Sequence, residues 1–340
     1  MKALVTGGGG FLGLYVVEQL VQRGDPVRVL CRRRYPQLDA LGVETVPADL
    51  CDRPAVVEAC RGIDSVYHVG GVAGIAGPWQ RYFQTNTLGT RHLIEGCLAH
   101  GVRRLCYTSS PSVTFNGCSQ EGVDERIAYP KRWLCHYARS KALAEQEVLA
   151  ANGRNGLLTC ALRPHLIWGP RDRHLIPRLL ENARRGRLCQ VGDGTNLIDT
   201  VYVENAARAH LLAADALQPG SPVAGQAYFI SQGEPVNCWD WINRILELAG
   251  LPPVTQSISL KKALLVGTAY ETLYALLRLR GEPPMSRFLA KQMAMCHYFA
   301  IDRARNDFGY EPRISMDEGL RRLAASWQSA GQRLGGIPAE

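Results

Sequence analysis

Tyr137 and Lys141 stand four residues apart in the run Tyr137-Ala138-Arg139-Ser140-Lys141. On a helix, residues i and i+4 share a face, so phenol and ammonium would lie side by side. A free tyrosine has a pKa of about 10, too high for proton exchange at neutral pH. A fixed cation nearby favours phenolate and predicts a pKa lowered by roughly one to three units. Tyr137 could then give a proton to a carbonyl oxygen or take one from an alcohol. A hydroxyl to hold that oxygen is expected from the strand end Tyr107-Thr108-Ser109-Ser110-Pro111, because ligands bind at the C-terminal edge of parallel strands. Ser110 is the first choice, with Ser109 and Thr108 next. Ser112, just beyond, is a candidate substrate contact.

A tyrosine–lysine pair recurs by chance, and gains meaning only beside a redox partner. Thr6-Gly7-Gly8-Gly9-Gly10-Phe11-Leu12-Gly13 spaces glycines at 7, 10 and 13, after a strand pattern and at the opening of a helix. In that context the spacing predicts a dinucleotide-binding loop. Glycines allow the tight turn and the close approach of backbone to a pyrophosphate. The helix start at Phe11 and Leu12 offers free N–H groups and a positive dipole end. NAD sites place an acid at the end of the second strand. Here that strand ends Val29-Leu30-Cys31-Arg32-Arg33-Arg34, with no acid. Guanidinium suits a 2′-phosphate, so the expected cofactor is NADP(H), held by Arg32 first and Arg33 second. Asp49 and Leu50 are expected beside the adenine, and Gly70-Gly71 against the riboses. Lys141 would also hold the nicotinamide ribose. Asn86, in Asn86-Thr87-Leu88-Gly89-Thr90, is expected to brace the Lys141 side.

These residues must be positioned by a sheet. Strand patterns cover Lys2–Thr6, Val27–Cys31, Val43–Val46, Asp64–Val69, Arg103–Thr108 and Leu157–Leu162. Helical patterns cover Phe11–Arg23, Arg81–His100 and Tyr137–Asn152. The alternation predicts an α/β fold, a Rossmann-type doubly wound parallel sheet. Its domain would span 1–163. From Pro164 prolines and glycines break the pattern, and helices dominate at Glu204–Leu217, Trp239–Ala249, Lys261–Leu279, Ser286–Met295 and Met316–Trp327. A smaller, mainly helical substrate-capping region over 164–340 is the natural reading, with some segments returning to the sheet.

The 340 residues carry 46% hydrophobic and 21% charged side chains, an ordinary globular balance. The 11 cysteines are scattered, without zinc spacing, so neither a disulfide scaffold nor a metal site is expected. Free thiols in a reducing cytoplasm are. Cys118 and Cys135 have no assigned role. Net charge is +8, in dispersed groups rather than one stripe, which argues against a nucleic-acid partner. The apolar start, Met1 to Val21, is interrupted by four glycines and lacks a small-residue cleavage site, so no signal peptide is expected. No apolar run reaches the ~18 residues of a spanning helix.

On the substrate side, Lys261–Leu279 is strongly apolar, with Lys261 and Lys262 at its start and Arg278 and Arg280 at its end. It reads as a lid over an acyl chain, an interfacial helix on a membrane, or a core helix. Arg163, His165, Arg171 and Arg173 are candidates to bind a carboxylate. Trp79, Trp133 and Trp168 could wall an apolar pocket.

Together these motifs resemble the extended short-chain dehydrogenase/reductases along nearly the whole chain, and within them the 3β-hydroxysteroid dehydrogenase-like branch. TGGGGFLG (6–13), NTLGT (86–90), YTSSPSV (107–113), YARSK (137–141), LRPHLIWGP (162–170) and DTVYVENAARAH (199–210) carry the likeness. It places the family's tyrosine, lysine and Ser/Thr on Tyr137, Lys141 and Ser110. Relatives usually carry alanines where this chain has Gly70-Gly71. VGDGTNLIDTVYVENAA, AYFISQGEP and LLRLRGEPPMSRFLA resemble bacterial reductases of long-chain olefin biosynthesis. That resemblance implies NADPH-dependent reduction of a β-keto acid bearing two long alkyl chains, a lipid-like small molecule. It also implies a homodimer through the Arg81–His100 and Tyr137–Asn152 helices. Contact with a membrane or a multi-enzyme assembly is compatible with it. Three alternatives stay open. A sterol dehydrogenase would prefer NAD and oxidise sterols. A sugar-nucleotide epimerase or dehydratase would show no net cofactor turnover. A non-catalytic NADP(H)-binding scaffold would be indifferent to loss of Tyr137.

Overall fold

Strands covered on both faces need no polar side, which is why this chain's short apolar runs become the centre of a parallel sheet. The computed structural model describes residues 1–277, 279 and 281–329. The first half runs β1 (Ala3–Thr6), α1 (Phe11–Gln22), β2 (Val27–Cys31), α2 (Pro36–Ala40), β3 (Glu44–Pro47), α3 (Arg53–Ala59) and β4 (Ser65–His68). It continues with α4 (Trp79–Tyr82), a π-helical turn (Phe83–Leu88), α5 (Gly89–His100), β5 (Arg104–Thr108), β6 (Gln120–Val123), α6 (His136–Ala150) and β7 (Leu158–Pro164). Then come β8 (Ile167–Trp168), α7 (Leu175–Arg184), β9 (Gln190–Val191), β10 (Leu197–Ile198), β11 (Val201–Tyr202), α8 (Val203–Ala216) and β12 (Gln226–Ile230). The rest is β13 (Val236–Asn237), α9 (Cys238–Leu248), β14 (Ser257–Ile258), α10 (Leu260–Leu276), α11 (Arg287–Ala294), β15 (His297–Phe299), α12 (Asp302–Phe308) and α13 (Met316–Ser329).

The main sheet has the order β12-β7-β5-β4-β1-β2-β3 and is parallel throughout. The fold is the expected Rossmann type. Its order reverses between β1 and β4, and the crevice at such a switch point is where these sheets bind ligands. One face is covered by α1 and α8, through Tyr15, Val16, Leu20, Ala206 and Ala213. The other is covered by α3, α5 and α6, through Val56, Leu93, Ile94 and Val148. A third core, with Trp168, Trp239, Trp241 and Leu320, ties α7, α9 and α13 together.

Segments cross the 1–163/164–340 division both ways. β12 joins the main sheet beside β7, while β6 leaves the first half for a small sheet ordered β13-β10-β15-β6.

Two helices differ from their sequence patterns. The run Arg81–His100 is not uniformly α-helical, because residues 83–88 widen into a π turn, a feature often found at functional sites. The turn lets neighbouring Asn86 and Thr87 both reach Ser140 on α6. In α10 the core-helix reading fails. Ala263 and Gly267 face inward, whereas Leu265, Val266, Leu273, Leu276 and Leu277 are exposed. Periodicity shows that a face is apolar, but not whether anything covers it. Arg278 and Arg280 lie outside the described residues. No helix among the described residues is long and apolar enough to cross a membrane.

Glu145 of α6 and Arg163 of β7 form an ion pair, 0% and 3% exposed. The guanidinium donates through Nε and Nη2, and the Tyr129 hydroxyl also donates to Glu145. Removing one charge of such a pair leaves the other buried and uncompensated. Glu145→Gln should therefore cost about 3–5 kcal/mol, read as a lower urea midpoint of unfolding.

Candidate active site

At the switch point the backbone itself makes the site. Gly7 has φ +70°, and a Cβ there would stand 2.7 Å from Gly70 Cα. A Cβ on Gly13 would stand 2.2 Å from the Gly7 carbonyl oxygen. The loop after β1 is thus folded onto the end of β4 and into the first turn of α1, where Gly10, Phe11 and Leu12 begin the helix. This is a cradle for a pyrophosphate at a helix N-terminus. The Tyr35 ring lies on Gly9, 2.3 Å from where its Cβ would be, and the Arg33 guanidinium stacks 5.2 Å from that ring. Arg34 pairs with Asp39 at 2.8 Å. Arg32 and Arg33 have no carboxylate partner among the described residues, and both are exposed. Asp49 accepts the N–H of Cys51 and so closes its own turn. Leu50 wedges between Gly70 and Gly89.

A buried relay runs from this cradle to α6. Gly70 N–H donates to Thr6 Oγ1, which pairs with His68 Nδ1 at 2.7 Å. His68 Nε2 pairs with Thr90 Oγ1 at 2.8 Å, and the Thr90 hydroxyl donates to the Asn86 carbonyl. A carbonyl can only accept, so His68 carries its proton on Nε2 and Thr6 donates to Nδ1. Burial drives the His68 pKa down to about 3, with help from Lys141, so this ring stays neutral. The Asn86 amide then holds both the Val72 backbone and Ser140 Oγ, and Ser140 donates to the Tyr137 carbonyl. Asn86 therefore braces α6 through Ser140 rather than Lys141. Neither Thr6, His68, Thr90 nor Tyr35 was singled out from sequence. A histidine inside the apolar run Ser65–Val69 was the available signal.

Ser110, Tyr137 and Lys141 gather at the ends of β5 and α6. Ser112 donates to Ser110 Oγ from its hydroxyl at 3.0 Å and its N–H at 3.3 Å. With its acceptor side filled, the Ser110 proton points to the Tyr137 phenol, where it favours phenolate. Burial outweighs this and pushes Tyr137 up to about 12. The expected lowering by Lys141 does not occur. The Lys141 ammonium instead donates to the Thr108 carbonyl at 2.5 Å and lies 4.2 Å from the Tyr107 ring centroid. Burial brings Lys141 itself down to about 7, against the pull of Glu145. Thr108 is excluded as the substrate hydroxyl because it is hydrogen-bonded to His210. Ser109 Oγ is buried without a partner among the described residues.

Ser110, Ser112, Tyr137 and His165 line one cavity of about 220 Å³, together with the apolar Phe115, Phe288 and Phe299 and the polar Gln120, Gln292 and His297. The other substrate candidates lie elsewhere. Arg163 is neutralised by Glu145. Trp168 is buried against Tyr202 and Trp241 and donates to Thr200. Arg171 pairs with Glu18 and stacks on Tyr15, and Arg173 is exposed. In each pair the missing partner comes from a distant element. Trp79 stacks on Phe83 and Arg139, away from the cavity. Trp133 backs the cavity wall with Phe115 and Cys135. Cys118 is exposed.

The sequence profile of the 3-beta hydroxysteroid dehydrogenase/isomerase family matches residues 4–261. A 2-alkyl-3-oxoalkanoate reductase of Stenotrophomonas maltophilia is 50% identical over 96% of this chain and 99% of that protein. A decarboxylating sterol-4-alpha-carboxylate 3-dehydrogenase of Mus musculus is 32% identical over 96% of this chain and 91% of that protein. Among solved structures, MoeE5 in complex with UDP-glucose and NAD superposes with a TM-score of 0.75, at 26% identity over 97% of this chain and 99% of that one.

The cradle can be tested directly. Gly13→Ala must force the loop away from Gly7. Dinucleotide affinity, read by protein fluorescence quenching, should fall at least about tenfold, or 1.4 kcal/mol, with the circular dichroism spectrum retained.

Proposed function

The chain belongs to the 3-beta hydroxysteroid dehydrogenase/isomerase family, and we propose that it is an NADPH-dependent reductase converting the 3-oxo group of a long-chain 2-alkyl-3-oxoalkanoate to a hydroxyl. The observation that carries this is the meeting of Ser110 and Tyr137 in an apolar cavity beside a dinucleotide cradle. A relative of that activity, 50% identical end to end, supports the substrate class.

The residues present fit the cofactor. Gly7, Gly10 and Gly13 with the start of α1 would hold the pyrophosphate, and Lys141 the nicotinamide ribose. The unpaired Arg32 and Arg33 would take a 2′-phosphate. When bound, the reduced nicotinamide supplies a hydride to carbon 3. Ser110 and Tyr137 hydrogen-bond the carbonyl oxygen and stabilise charge as it develops there. Tyr137 is fully protonated at neutral pH, and it can pass its proton to an alkoxide, which is the stronger base. Ser112 fixes the direction of the Ser110 proton.

A cavity of about 220 Å³ is small beside the ~300–1,000 Å³ of common ligand sites, which suits the head group of such an acid rather than its chains. The exposed leucines of α10 are the proposed surface for those chains or for a lipid interface. We propose the homodimer through the outer faces of α5 and α6. A sterol 3-dehydrogenase is the second reading, favoured by the murine relative. Both relatives' names describe an oxygen and a carboxylate on adjacent carbons.

Free β-keto acids lose carbon dioxide, so the test runs in reverse, from the 2-alkyl-3-hydroxy acid with NADP⁺, beside a sterol. Acid turnover that falls at least about 100-fold in Tyr137→Phe supports the reductase. Turnover of sterol alone moves the chain to the second reading. For the cofactor, the Arg32→Ala/Arg33→Ala double variant should raise KM for NADPH at least about tenfold and leave KM for NADH within about twofold, each guanidinium–phosphate contact being charge-assisted.

A further inference from the structure

His165 and His297 line the same cavity as Ser110 and Tyr137. His297 Nε2 pairs with the Gln292 carbonyl at 2.8 Å, so it must carry a proton there. His297 Nδ1 is then an acceptor, and the 2.6 Å contact with His165 Nε2 is donated by His165. His165 Nδ1 is left as a bare lone pair, on a ring that lines the cavity and without a partner among the described residues.

This matters because of where a carboxylate would have to go. In a 2-alkyl-3-oxo acid the carboxyl carbon is two bonds from the carbonyl carbon. With the ketone at Ser110 and Tyr137, the carboxylate must lie in the same cavity. Among the described residues, neither lysine nor arginine lines it. A buried carboxylate with no cation is strongly disfavoured.

Resting on the reductase reading above, we propose that His165, oriented by His297, is the carboxylate subsite. It takes up one proton as the substrate binds and holds the carboxylate as an imidazolium pair. Burial and the neighbouring His297 hold His165 well below the usual imidazole range, so the ring is neutral at pH 7 without an anion beside it. The titratable groups around it are His297 on β15, Tyr137 on α6, Asp199 ahead of β11, and the closed Arg163–Glu145 pair. Asp199 accepts the Phe299 N–H and is raised to about 6 by burial. The arrangement also protects the substrate. A β-keto acid decarboxylates readily when its carboxyl proton bonds its own ketone. An ionised carboxylate on His165, with the ketone held by Ser110 and Tyr137, has no such proton.

The sign follows by linkage. Free enzyme lacks the proton and bound enzyme has it, so affinity for the acid falls as pH rises. The experiment compares the 2-alkyl-3-hydroxy acid with its methyl ester, using NADP⁺ and intact enzyme. KM for the acid should rise with pH from pH 6.5, with a slope approaching about tenfold per unit until the bound imidazolium itself titrates, while KM for the ester lacks that rise. His165→Gln should cut the acid-over-ester ratio of kcat/KM at least about tenfold and flatten the acid's slope. Asp199→Asn should keep that slope. A slope that survives His165→Gln, or an unchanged acid-over-ester ratio, overturns the subsite. Should the variant fail to fold, calorimetry of wild-type enzyme binding the acid in two buffers of different ionisation enthalpy counts the protons. One taken up supports the subsite, and none overturns it. Wild-type enzyme that turns over neither compound overturns the reductase reading itself.

Discussion

The contact between Gly7 and Gly70 is the constraint from which the rest of the site follows. Two strand ends, from β1 and β4, approach so closely that a methyl group on Gly7 would overlap the Gly70 backbone and one on Gly70 would press on Thr6 Oγ1. That approach brings Gly70 N–H onto Thr6 Oγ1 and starts the relay through His68, Thr90, Asn86 and Ser140. Each member is buried, so each bond is costly to leave unmade. The relay ends on the carbonyl of Tyr137. The glycine loop and Tyr137 are thus two ends of one satisfied polar network, and the π turn that admits Asn86 is its hinge piece.

Two opposing effects set the chemistry at Tyr137. Desolvation favours the phenol, and the Ser110 hydrogen bond favours the phenolate, with desolvation larger. Lys141 does not enter, because its ammonium is held by the Thr108 carbonyl and the Tyr107 ring. In the direction of reduction this costs nothing, since the donor must be protonated. The low pKa of Lys141, about 7, makes its charge responsive to what binds beside it.

What was legible in the sequence was local. The glycine loop, the Tyr137/Lys141 pair and Ser110 each sit in one short run whose residues act from one turn or one helix face. The parallel sheet followed from alternating strand and helix patterns. What escaped was set by partners far away in the chain. Arg163, Arg171 and Trp168 looked available beside the LRPHLIWGP run, but Glu145, Glu18 and Thr200 close them. Arg32 and Arg33 are the reverse case, since Asp39, the next acid along the chain, is taken by Arg34. Phe115, Gln120, Phe288 and His297 meet only because β6 leaves the first half of the chain to pair with β15.

The same reasoning explains α10. It is held by Leu260, Leu264 and small residues in its first half and by charges further on, rather than by its later leucines. Ala263 and Gly267 lie against the body, with Gly267 tight on the backbone of Ser286. Glu271 accepts the N–H of Arg287 and pairs with its guanidinium. Just beyond, Glu282 pairs with Arg178 and accepts the N–H of Ile75, at the wall of the cavity. Anchoring through short side chains frees the long ones, so six of the ten exposed large hydrophobics among the described residues lie between Leu265 and Leu279. A patch of that kind on a surface otherwise rich in charge has the character that contact sites share. Its covalent link to Glu282 places it one short segment from the cavity. A substrate with a polar head and two long chains would use both features: the polar side chains of the cavity for the head, and an exposed apolar surface for the chains.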